Sequence, residues 1–560
     1  MLTLLYSPVK TFHDTIRVIL NGAAIYTKSA DFTPLHLFAD SLKTDSGHLV
    51  VAIGELRYDF DPNAGNLARP VDAPAGFNWN TAYGQYLKGV EAMDQKNYPA
   101  AETALQTAIG LDSNFGPALT QYANLLYRNL QYDQSLHYAT RALGINTEDG
   151  PANFIYGLAN QALGDTTDAK DGFDIASLDP SWRSAAYTRL AMIEKSTARA
   201  LAYTQRALLA NPVNIEALHL QAVFSRPDNT AFLDRLDSLD PLDHLTRCER
   251  YLVNPTAANK QQFLSLIRNE LTEQTFLELG IWYYDLGHTQ DALTIFRLAP
   301  PNAEIALWIA ALTGTRPDYD HLDPTRVFPF RAETAALLEK TTTDHWLPKY
   351  FLALVYHDRN RLAECRRLLE SCDDQPGFAP FYAFRAAIDS SLHDLQKAAV
   401  LDPQWRYQKL LAEYYLHHNQ VTEALALLEP WQAKHPDDYI MGSLYAKALL
   451  LDHQYVKADR LLASLDILPA EGATSGHDLY REAKLMQAVE AIKKGQRKKA
   501  LAFITAAQRW PANLGVGEPY KEDQDLRLET WLTAWCLRST PPVFQPKTAL
   551  ETRVVTAMLR

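Results

Sequence analysis

The sequence has few cysteines, no surplus of basic residues and no long apolar run. Its four cysteines in 560 residues are too few for the disulfide framework of a small secreted scaffold. Asp and Glu outnumber Lys and Arg by 66 to 54, so the formal net charge is −12 and nucleic acid is not the expected partner. No apolar run approaches the ~18 residues of a membrane-spanning helix. The start, MLTLLYSPVK, is too short and too poor in charge for a signal peptide. We therefore expect a cytoplasmic protein, unless the natural N-terminus lies upstream.

Catalytic signatures are also missing. The sequence contains no nucleophile elbow, phosphate-binding loop, dinucleotide fingerprint or zinc motif. Gly515 and Gly517 form a lone G-x-G that follows a helix, which favours a turn over a phosphate site. His417 and His418 are adjacent and point to different sides of a helix, so they do not form a two-histidine metal face. We predict no enzymatic activity, no cofactor and no metal.

Two further clusters have ordinary structural explanations. Cys365 and Cys372 are seven residues apart and share a helix face, which favours small residues in a helix seam over a disulfide or metal pair. The basic run between Lys493 and Lys499 straddles an inter-helix turn. A solvated turn is the default interpretation, and contact with an acidic partner or a phosphate is the alternative.

A regular sequence repeat organises the region from Tyr83 to Pro180. Small residues recur at a constant spacing in a first helix and again in a second helix, where they allow two helices to pack closely. The small-residue sets are Gly89, Ala123 and Gly157; Ala101, Ser135 and Ala169; and Ala108, Ala142 and Ala176, and the set Tyr98, Tyr132 and Thr166 recurs at the same spacing. This spacing equals the period of the tetratricopeptide repeat, a helix–turn–helix unit of about 34 residues.

The same pattern continues with interruptions to Pro511. Residues 213–270 are degenerate, with helices predicted at 215–224, 230–238, 243–252 and 256–268. The pattern returns strongly around Gly280 and Ala292, and Ala424 and Ala458 are again separated by one repeat period. We predict an array over residues 81–511, followed at 512–560 by a loop, a capping helix and a weakly helical tail.

Residues 1–80 differ from the array. We predict four or five short strands in residues 1–60, at 15–20, 24–27, 35–38, 48–53 and 56–60, with a hairpin turn at Asn21-Gly22. Such a segment has little core of its own. It is either the end of a larger β domain or a cap on the first repeat. Residues 61–80 are rich in Pro and Gly and are predicted to be a linker.

These repeats resemble tetratricopeptide repeats. The resemblance implies an all-α fold, a right-handed tetratricopeptide superhelix (an α-solenoid), here preceded by a small antiparallel β segment. Four stretches, LARPVDAPAGFNWNTAYGQYLKG, ANFIYGLANQALGD, LDPLDHLTRCERYL and WPANLGVGEPY, also resemble the C-terminal half of a bacterial family of unknown function. In that family a galactose-mutarotase-like β-sandwich precedes the array. This chain lacks the sandwich, apart from final strands in residues 1–60, so no sugar-binding residue can be carried over.

In tetratricopeptide repeats the first helix of each pair, helix A, lines the concave surface and contacts ligands. Carried over to this sequence, the resemblance implies partner-binding residues Tyr83, Tyr86, Asn124, Tyr127, Arg128, Phe154 and Gln161. Asn and Arg suit an extended peptide, because they bind backbone amides and carboxylates. For Phe154, as for Val90 and Leu158, helix–helix packing is the alternative role.

Two functions are consistent with this sequence. The first is a non-catalytic scaffold that binds a protein or peptide along the concave helix-A face, by shape and hydrogen-bond complementarity on a rigid surface. The second is the accessory repeat half of a carbohydrate-active or carbohydrate-binding protein, with carbohydrate bound only through a mutarotase-like domain that this chain lacks.

Overall fold

The computed structural model divides the chain into two compact units. Unit 1 contains residues 1–341 and 354–361, and unit 2 contains residues 342–353 and 362–560. The structure describes residues 2–6, 8, 10–34, 36–54, 56–61, 76–341, 343–469, 474–515, 519–520, 523–537 and 543–559. Most of the predicted linker (62–75) and parts of the predicted C-terminal loops and tail (470–473, 516–518 and 538–542) lie outside the described residues.

Unit 1 begins with two small antiparallel sheets. The strands are β1 (Leu2–Tyr6), β2 (Phe12–Leu20), β3 (Ala23–Phe32), β4 (Phe38–Leu42), β5 (Leu49–Ile53) and β6 (Leu56–Phe60). One sheet pairs β1 with β4, and the other has the order β3-β2-β5-β6. The predicted turn at Asn21 and Gly22 joins β2 to β3, and both residues have positive φ angles, of 48° and 85°. The predicted antiparallel β segment is therefore confirmed.

The β segment has a core that the sequence did not predict. A buried cluster joins both sheets, because Leu4 of β1 packs with Ile16 and Val18 of β2 and with Phe32 of β3. The ring centroids of Tyr6 and Phe32 lie 5.4 Å apart. The sequence analysis missed β1 and with it the second sheet, so it did not predict the small core that joins the two sheets.

The predicted strand at 35–38 was also wrong in position. Leu35 lies outside the described residues, and β4 instead runs from Phe38 to Leu42. Its register is set by β1, with Phe38 opposite Tyr6 and Leu42 opposite Leu2. Because this pairing joins strands distant in sequence, no local hairpin signal marks it.

The rest of unit 1 is helical. Its helices are α1 (Ala82–Asp94), α2 (Tyr98–Leu111), α3 (Gly116–Arg128), α4 (Tyr132–Leu143), α5 (Gly150–Leu163), α6 (Thr166–Ala176), α7 (Arg183–Ile193), α8 (Thr197–Ala210), α9 (Ile215–Phe224), α10 (Thr230–Leu239), α11 (His244–Val253), α12 (Ala257–Ser265), α13 (Glu273–Asp285), α14 (Thr289–Phe296), α15 (Ala303–Thr313) and α16 (Ala332–Glu339). The next helix, α17 (Trp346–Asp358), contributes its last residues to unit 1.

Close helix crossings explain the small residues of the repeat. A Cβ atom on Gly89 would lie 2.7 Å from Leu105 Cγ, and one on Gly280 would lie 2.3 Å from Phe296 Cε1. The helices of each pair therefore approach at a position that admits no side chain, while a large residue of the second helix covers it. Both the predicted repeat and the four helices predicted in the degenerate region are confirmed.

Unit 2 continues with helical pairs. Its helices after the start of α17 are α18 (Leu362–Glu370), α19 (Ala379–Asp389), α20 (Leu392–Leu401), α21 (Trp405–His417), α22 (Val421–Lys434), α23 (Tyr439–Leu451), α24 (Tyr455–Ser464), α25 (Ser475–Lys493), α26 (Arg497–Ala507), α27 (Arg527–Leu537) and α28 (Ala549–Leu559). The predicted capping helix is α27, which packs on α26 and α25. The weakly helical tail is α28, and it packs on α25.

Candidate functional site

The C-terminal ends of several first helices surround a cavity in unit 1, which we call the unit 1 cavity. Its volume is about 840 Å³. Lining residues come from α3 to α9 on one side and from α13, α16 and the turn after α13 on the other; they include Tyr127, Tyr132, Gln161, Arg189, Lys195, Phe224, Asp285, His288 and Glu333. This size falls within the range of ordinary ligand pockets.

The repeat places the lining residues in register. Tyr127 follows Ala123 by four residues, and Gln161 follows Gly157 by four. Asp285 follows Gly280 by five. Because Ala123, Gly157 and Gly280 all occupy the helix-crossing position, the residues one turn later lie at the same end of each helix. The repeat geometry thus accounts for the positions of Tyr127, Gln161 and Asp285 in the cavity wall.

Both signs of charge line the cavity. Arg189 and Lys195 supply positive charge, and Asp285 and Glu333 supply negative charge. Burial within the cavity walls raises the pKa of Asp285 from 3.8 to about 7, and the nearby Glu333 carboxylate adds to this rise. Water still reaches the Asp285 side chain, which is exposed to the cavity. The pKa of this carboxyl group therefore lies well above its ordinary value.

Aromatic and amide groups form the adjoining wall. The rings of Tyr127 and Tyr132 lie 5.4 Å apart, and burial raises the pKa of both phenols. The Oε1 atom of Gln161 is out of contact with solvent and has no hydrogen-bond partner. An unpaired buried acceptor is unfavourable, so this amide is the polar group of the wall that gains most from a donor.

Arg128 lies at the end of α3 and is engaged within unit 1. Its Nη2 donates to Asp358 Oδ2 at 3.2 Å, and its guanidinium lies 3.4 Å from the centroid of the Tyr98 ring. Asn360 Nδ2 also donates to Glu102 Oε2, at 2.9 Å. These contacts join α2 and α3 to the residues that end α17. Arg128 is not among the residues that line the unit 1 cavity.

The structure separates the other predicted site residues from the cavity. Tyr83 and Tyr86 stack on each other at 6.4 Å, and Phe115 meets Tyr86 edge-on at 5.6 Å. Asn124 is half-buried on α3 and does not line the cavity. Phe154 is 9% exposed and packs against neighbouring aromatic rings in a buried cluster. Of the seven residues predicted to bind a partner, Tyr127 and Gln161 line the cavity. Phe154 instead packs against other side chains, which is the alternative role given for it above.

Sequence reasoning missed Arg189, Asp285 and Glu333. A signal for Asp285 was present, because it stands five residues after Gly280, as Arg128 stands five after Ala123. Arg189 and Glu333 carry no such signal, since α7 belongs to a shortened unit and α16 to a region where the repeat pattern is blurred. Only the folded chain brings these two side chains to the same cavity.

A buried ion network lies beside the cavity. Arg226 donates to both carboxylate oxygens of Glu249, whose side chain is fully buried, and to Asp291 Oδ2 at 2.6 Å. The Tyr283 hydroxyl donates to Glu249 at 2.5 Å. His288, which lines the cavity, pairs with Asp291 at 3.3 Å. The network thus fixes the turn after α13 that forms one wall.

One carboxylate–histidine cluster among the described residues has the spacing of a metal site. It consists of Asp374, His393 and Asp394 in unit 2. Arg385 lies 2.7 Å from Asp394 and 3.3 Å from Asp374, and Lys397 lies 3.3 Å from Asp374. Because two cations already neutralise these carboxylates, the donor set does not suit a metal ion.

The other side chains singled out in the sequence analysis pack against neighbouring residues or are buried. His418 stacks on Tyr414 with centroids 4.0 Å apart. Cys365 and Cys372 are free and buried, and burial raises their pKa values to about 12 and about 11.

Within the described residues, no helix is both long and apolar enough to cross a membrane.

The two helices of a pair cross closely at a small residue, and these crossings recur at the repeat period. The array consists of antiparallel helix pairs at the period that the sequence predicted. No protein-family model matches the chain, and no curated protein matches it. The mutarotase-family resemblance therefore stays a prediction.

Several solved structures are similar to this chain at low sequence identity. A tetratricopeptide repeat protein from Parabacteroides merdae is 15% identical, with 42% of this chain and 99% of that chain covered and a TM-score of 0.32. The APC/C hetero-tetramer Cut9-Hcn1 is 13% identical over 82% of this chain and 96% of that chain, with a TM-score of 0.26. The P58(IPK) TPR domain is 12% identical over 81% and 98%, with a TM-score of 0.21.

Proposed function

We propose that the chain is a non-catalytic scaffold that binds an extended peptide segment of a partner protein in the unit 1 cavity. The observation that carries this proposal is the buried Gln161 Oε1, which has no donor in a cavity of about 840 Å³. A peptide backbone supplies N–H donors at regular intervals. The Gln161 amide would gain a hydrogen bond from such a segment, after a side-chain rotation that exposes its oxygen.

The charges of the cavity also suit a peptide. Arg189 and Lys195 can pair with a carboxylate, while Asp285 and Glu333 can pair with an ammonium or guanidinium group. A peptide that carries both signs would satisfy both groups. Tyr127 and Tyr132 offer apolar contact area at small entropic cost, because aromatic rings lose few rotamers.

The test is selection of peptides on the immobilised full-length protein from a random 12-residue display library. Affinities of selected peptides are then measured by fluorescence anisotropy. Gln161→Met and Arg189→Gln should each weaken binding about tenfold, the effect of losing a hydrogen bond of about 1.4 kcal/mol. Gln134→Met, on the exposed side of α4, is the matched control and should have no effect.

The experiment can distinguish a wrong binding site from a wrong function. Peptides that bind with unchanged affinity to Gln161→Met and Arg189→Gln would place the site elsewhere on the array. A library that yields no binder would argue against peptide recognition altogether. The alternative role, as accessory half of a carbohydrate-active protein, stays a prediction, because no contact among the described residues favours it.

A further inference from the structure

Strand β6 is an edge strand with exposed apolar side chains. It stands last in the order β3-β2-β5-β6, and among the described residues it pairs with β5 alone. Leu56, Tyr58 and Phe60 lie on one face of β6, because side chains alternate along a strand. They are 56%, 62% and 49% exposed. We call these three side chains the β6 stripe.

The β6 stripe continues the buried face of the sheet. Its residues lie opposite Ile53, Val51 and Leu49 of β5, in that order. Leu49 and Ile53 belong to the core that joins the two sheets, and Val51 packs against it. The apolar face of the sheet therefore extends onto β6, where it is exposed, and covering this strand would remove further apolar surface from water.

The backbone of β6 has alternate residues that face away from β5. Only two residues separate Ile53 from Leu56, so these two form the hydrogen-bonded pair that closes the β5–β6 hairpin. Leu56 and every second residue after it therefore exchange backbone hydrogen bonds with β5. The N–H and C=O groups of Arg57 and Asp59 point to the open edge. An open strand edge of this kind is a template for another strand.

The two edges of this sheet differ in their protection. On the opposite edge, Tyr26 and Lys28 of β3 donate to the Asp40 carboxylate of β4, at 2.6 and 2.7 Å. The register of β3 against β2 is also interrupted between Val18 and Ile19. In contrast, β6 has a continuous register with β5 and contains neither lysine nor proline. Because such residues and register breaks protect strand edges from pairing, β6 is the edge that is open to association.

The charges of β6 are complementary to a second copy of the same strand. Arg57 and Asp59 lie on the face opposite the β6 stripe, and Arg57 Nη2 donates to Asp59 Oδ2 at 2.9 Å. When two copies of β6 pair antiparallel about Tyr58, Arg57 of each copy lies opposite Asp59 of the other, and Leu56 lies opposite Phe60. A parallel pairing in register would instead place like charges side by side. The charges therefore select the antiparallel arrangement.

We propose that β6 is a homodimerisation edge, and that its occupant is β6 of a second copy of this chain. The two four-stranded sheets then form one continuous sheet across a twofold axis at Tyr58. Two Arg57–Asp59 pairs lie on one face, and the two β6 stripes join on the other. Because both copies use the same edge, the contact closes at two chains. No residue of β6 lines the unit 1 cavity, so the proposal does not rest on peptide binding there.

The test is the mass of the full-length chain, measured by sedimentation velocity at about 1 to 100 µM. Wild type should reach twice the chain mass of 63.0 kDa. Arg57→Asp places carboxylates opposite each other at both pairs, and Asp59→Arg places guanidiniums there. Each variant should therefore raise the dissociation constant of the dimer about tenfold or more. Lys10→Asp, at an exposed position outside the strands, is the matched charge control and should dimerise as wild type does.

Mixing the two variants tests the register of the contact. An equimolar mixture of Arg57→Asp and Asp59→Arg proteins should form a heterodimer as tight as the wild-type dimer, because each aspartate of one chain then faces an arginine of the other. A chain that carries both substitutions should recover self-association for the same reason. This recovery also shows that the single variants are folded.

Three results would overturn the proposal. The first is wild-type protein that stays monomeric at about 100 µM, which is expected if other residues of this chain or a strand of a different protein cover β6. The second is a dimer that neither Arg57→Asp nor Asp59→Arg weakens, because the contact would then lie elsewhere. The third is a mixture of the two variants that stays monomeric, because the strands would then pair in another register.

Discussion

The Arg128 guanidinium of α3 pairs with the Asp358 carboxylate at the end of α17, across 230 residues of sequence, at 3.2 Å. Asp358 follows Ala353 by five residues, as Arg128 follows Ala123 by five. The pair therefore joins equivalent positions of two separate repeats. Arg128 also lies over the Tyr98 ring, so two different contacts fix one side chain.

We expect Arg128→Ala to lower the free energy of unfolding by about 1–2 kcal/mol, because it loses both the ion pair and the cation–π contact. Asp358→Ala should cost only about 0.5 kcal/mol, since half of that side chain is exposed. A double-mutant cycle by chemical denaturation isolates the coupling. If the two changes in the free energy of unfolding are additive, the ion pair contributes nothing in solution. Any binding study that changes Arg128 needs this stability measurement beside it.

The protonation of Asp285 should make stability fall as pH rises. Its pKa in the folded chain is about 7 instead of 3.8, so the folded state holds a proton that the unfolded state has lost. This contribution is fully present below pH 3.8 and disappears as pH rises through about 7.

Asp285→Asn should therefore unfold at a higher temperature than wild type at pH 8. At pH 4 the two proteins should unfold at nearly the same temperature. We expect about 1 kcal/mol at pH 8, a value reduced because the carboxyl group is exposed to the cavity solvent. Thermal unfolding at the two pH values checks this. Asp228→Asn, at an exposed loop position, is the control. An equal difference at both pH values would contradict the shifted pKa.

The crossing of α13 and α14 should tolerate no side chain at Gly280. A Cβ atom there would lie 2.3 Å from Phe296 Cε1, so Gly280→Ala should cost about 1–3 kcal/mol by overpacking. Phe296→Leu makes room, and the double variant should lose less stability than the two single changes together. Gly110→Ala is a control, because nothing lies within 4 Å of a Cβ atom there. Strict additivity in the double variant would show that Phe296 is not the obstacle.

Removing Arg226 should leave a buried charge without its partner. Arg226→Met should cost about 3 kcal/mol, because the fully buried Glu249 side chain would lose both guanidinium donors. Adding Glu249→Gln removes the charge and should recover part of this loss. Chemical denaturation followed by circular dichroism measures both variants. If Glu249→Gln worsens Arg226→Met, the buried charge is not the cause.

The helical pairs could be predicted because their signals are local. Gly89, Ala123 and Gly157 recur at one spacing, and each marks a crossing that only a small residue allows. The β segment was predicted less well, because β1 pairs with β4 across the intervening strands β2 and β3 rather than through a tight turn. Local patterns identify helices and hairpins but not the partners of distant strands.

The cavity could be predicted only in part, for a related reason. Tyr127 and Gln161 were found because the first three repeats are regular, and Asp285 could have been found by the same count from Gly280. Arg189 and Glu333 reach the cavity from irregular units, and the Arg128–Asp358 pair depends on contacts over 230 residues. Such contacts are set by the packing of the whole unit and leave no periodic trace.

The helix-crossing residues and the cavity-lining residues are different residues of the same helices. Gly280 is fixed by its contact with Phe296, whereas Asp285, one turn later, faces open space. Mutations at the lining positions can therefore alter the charge of the cavity repeat by repeat while leaving the scaffold intact. A substitution at the crossing position is therefore expected to change the packing of the helices, and one at the lining position the charge of the cavity.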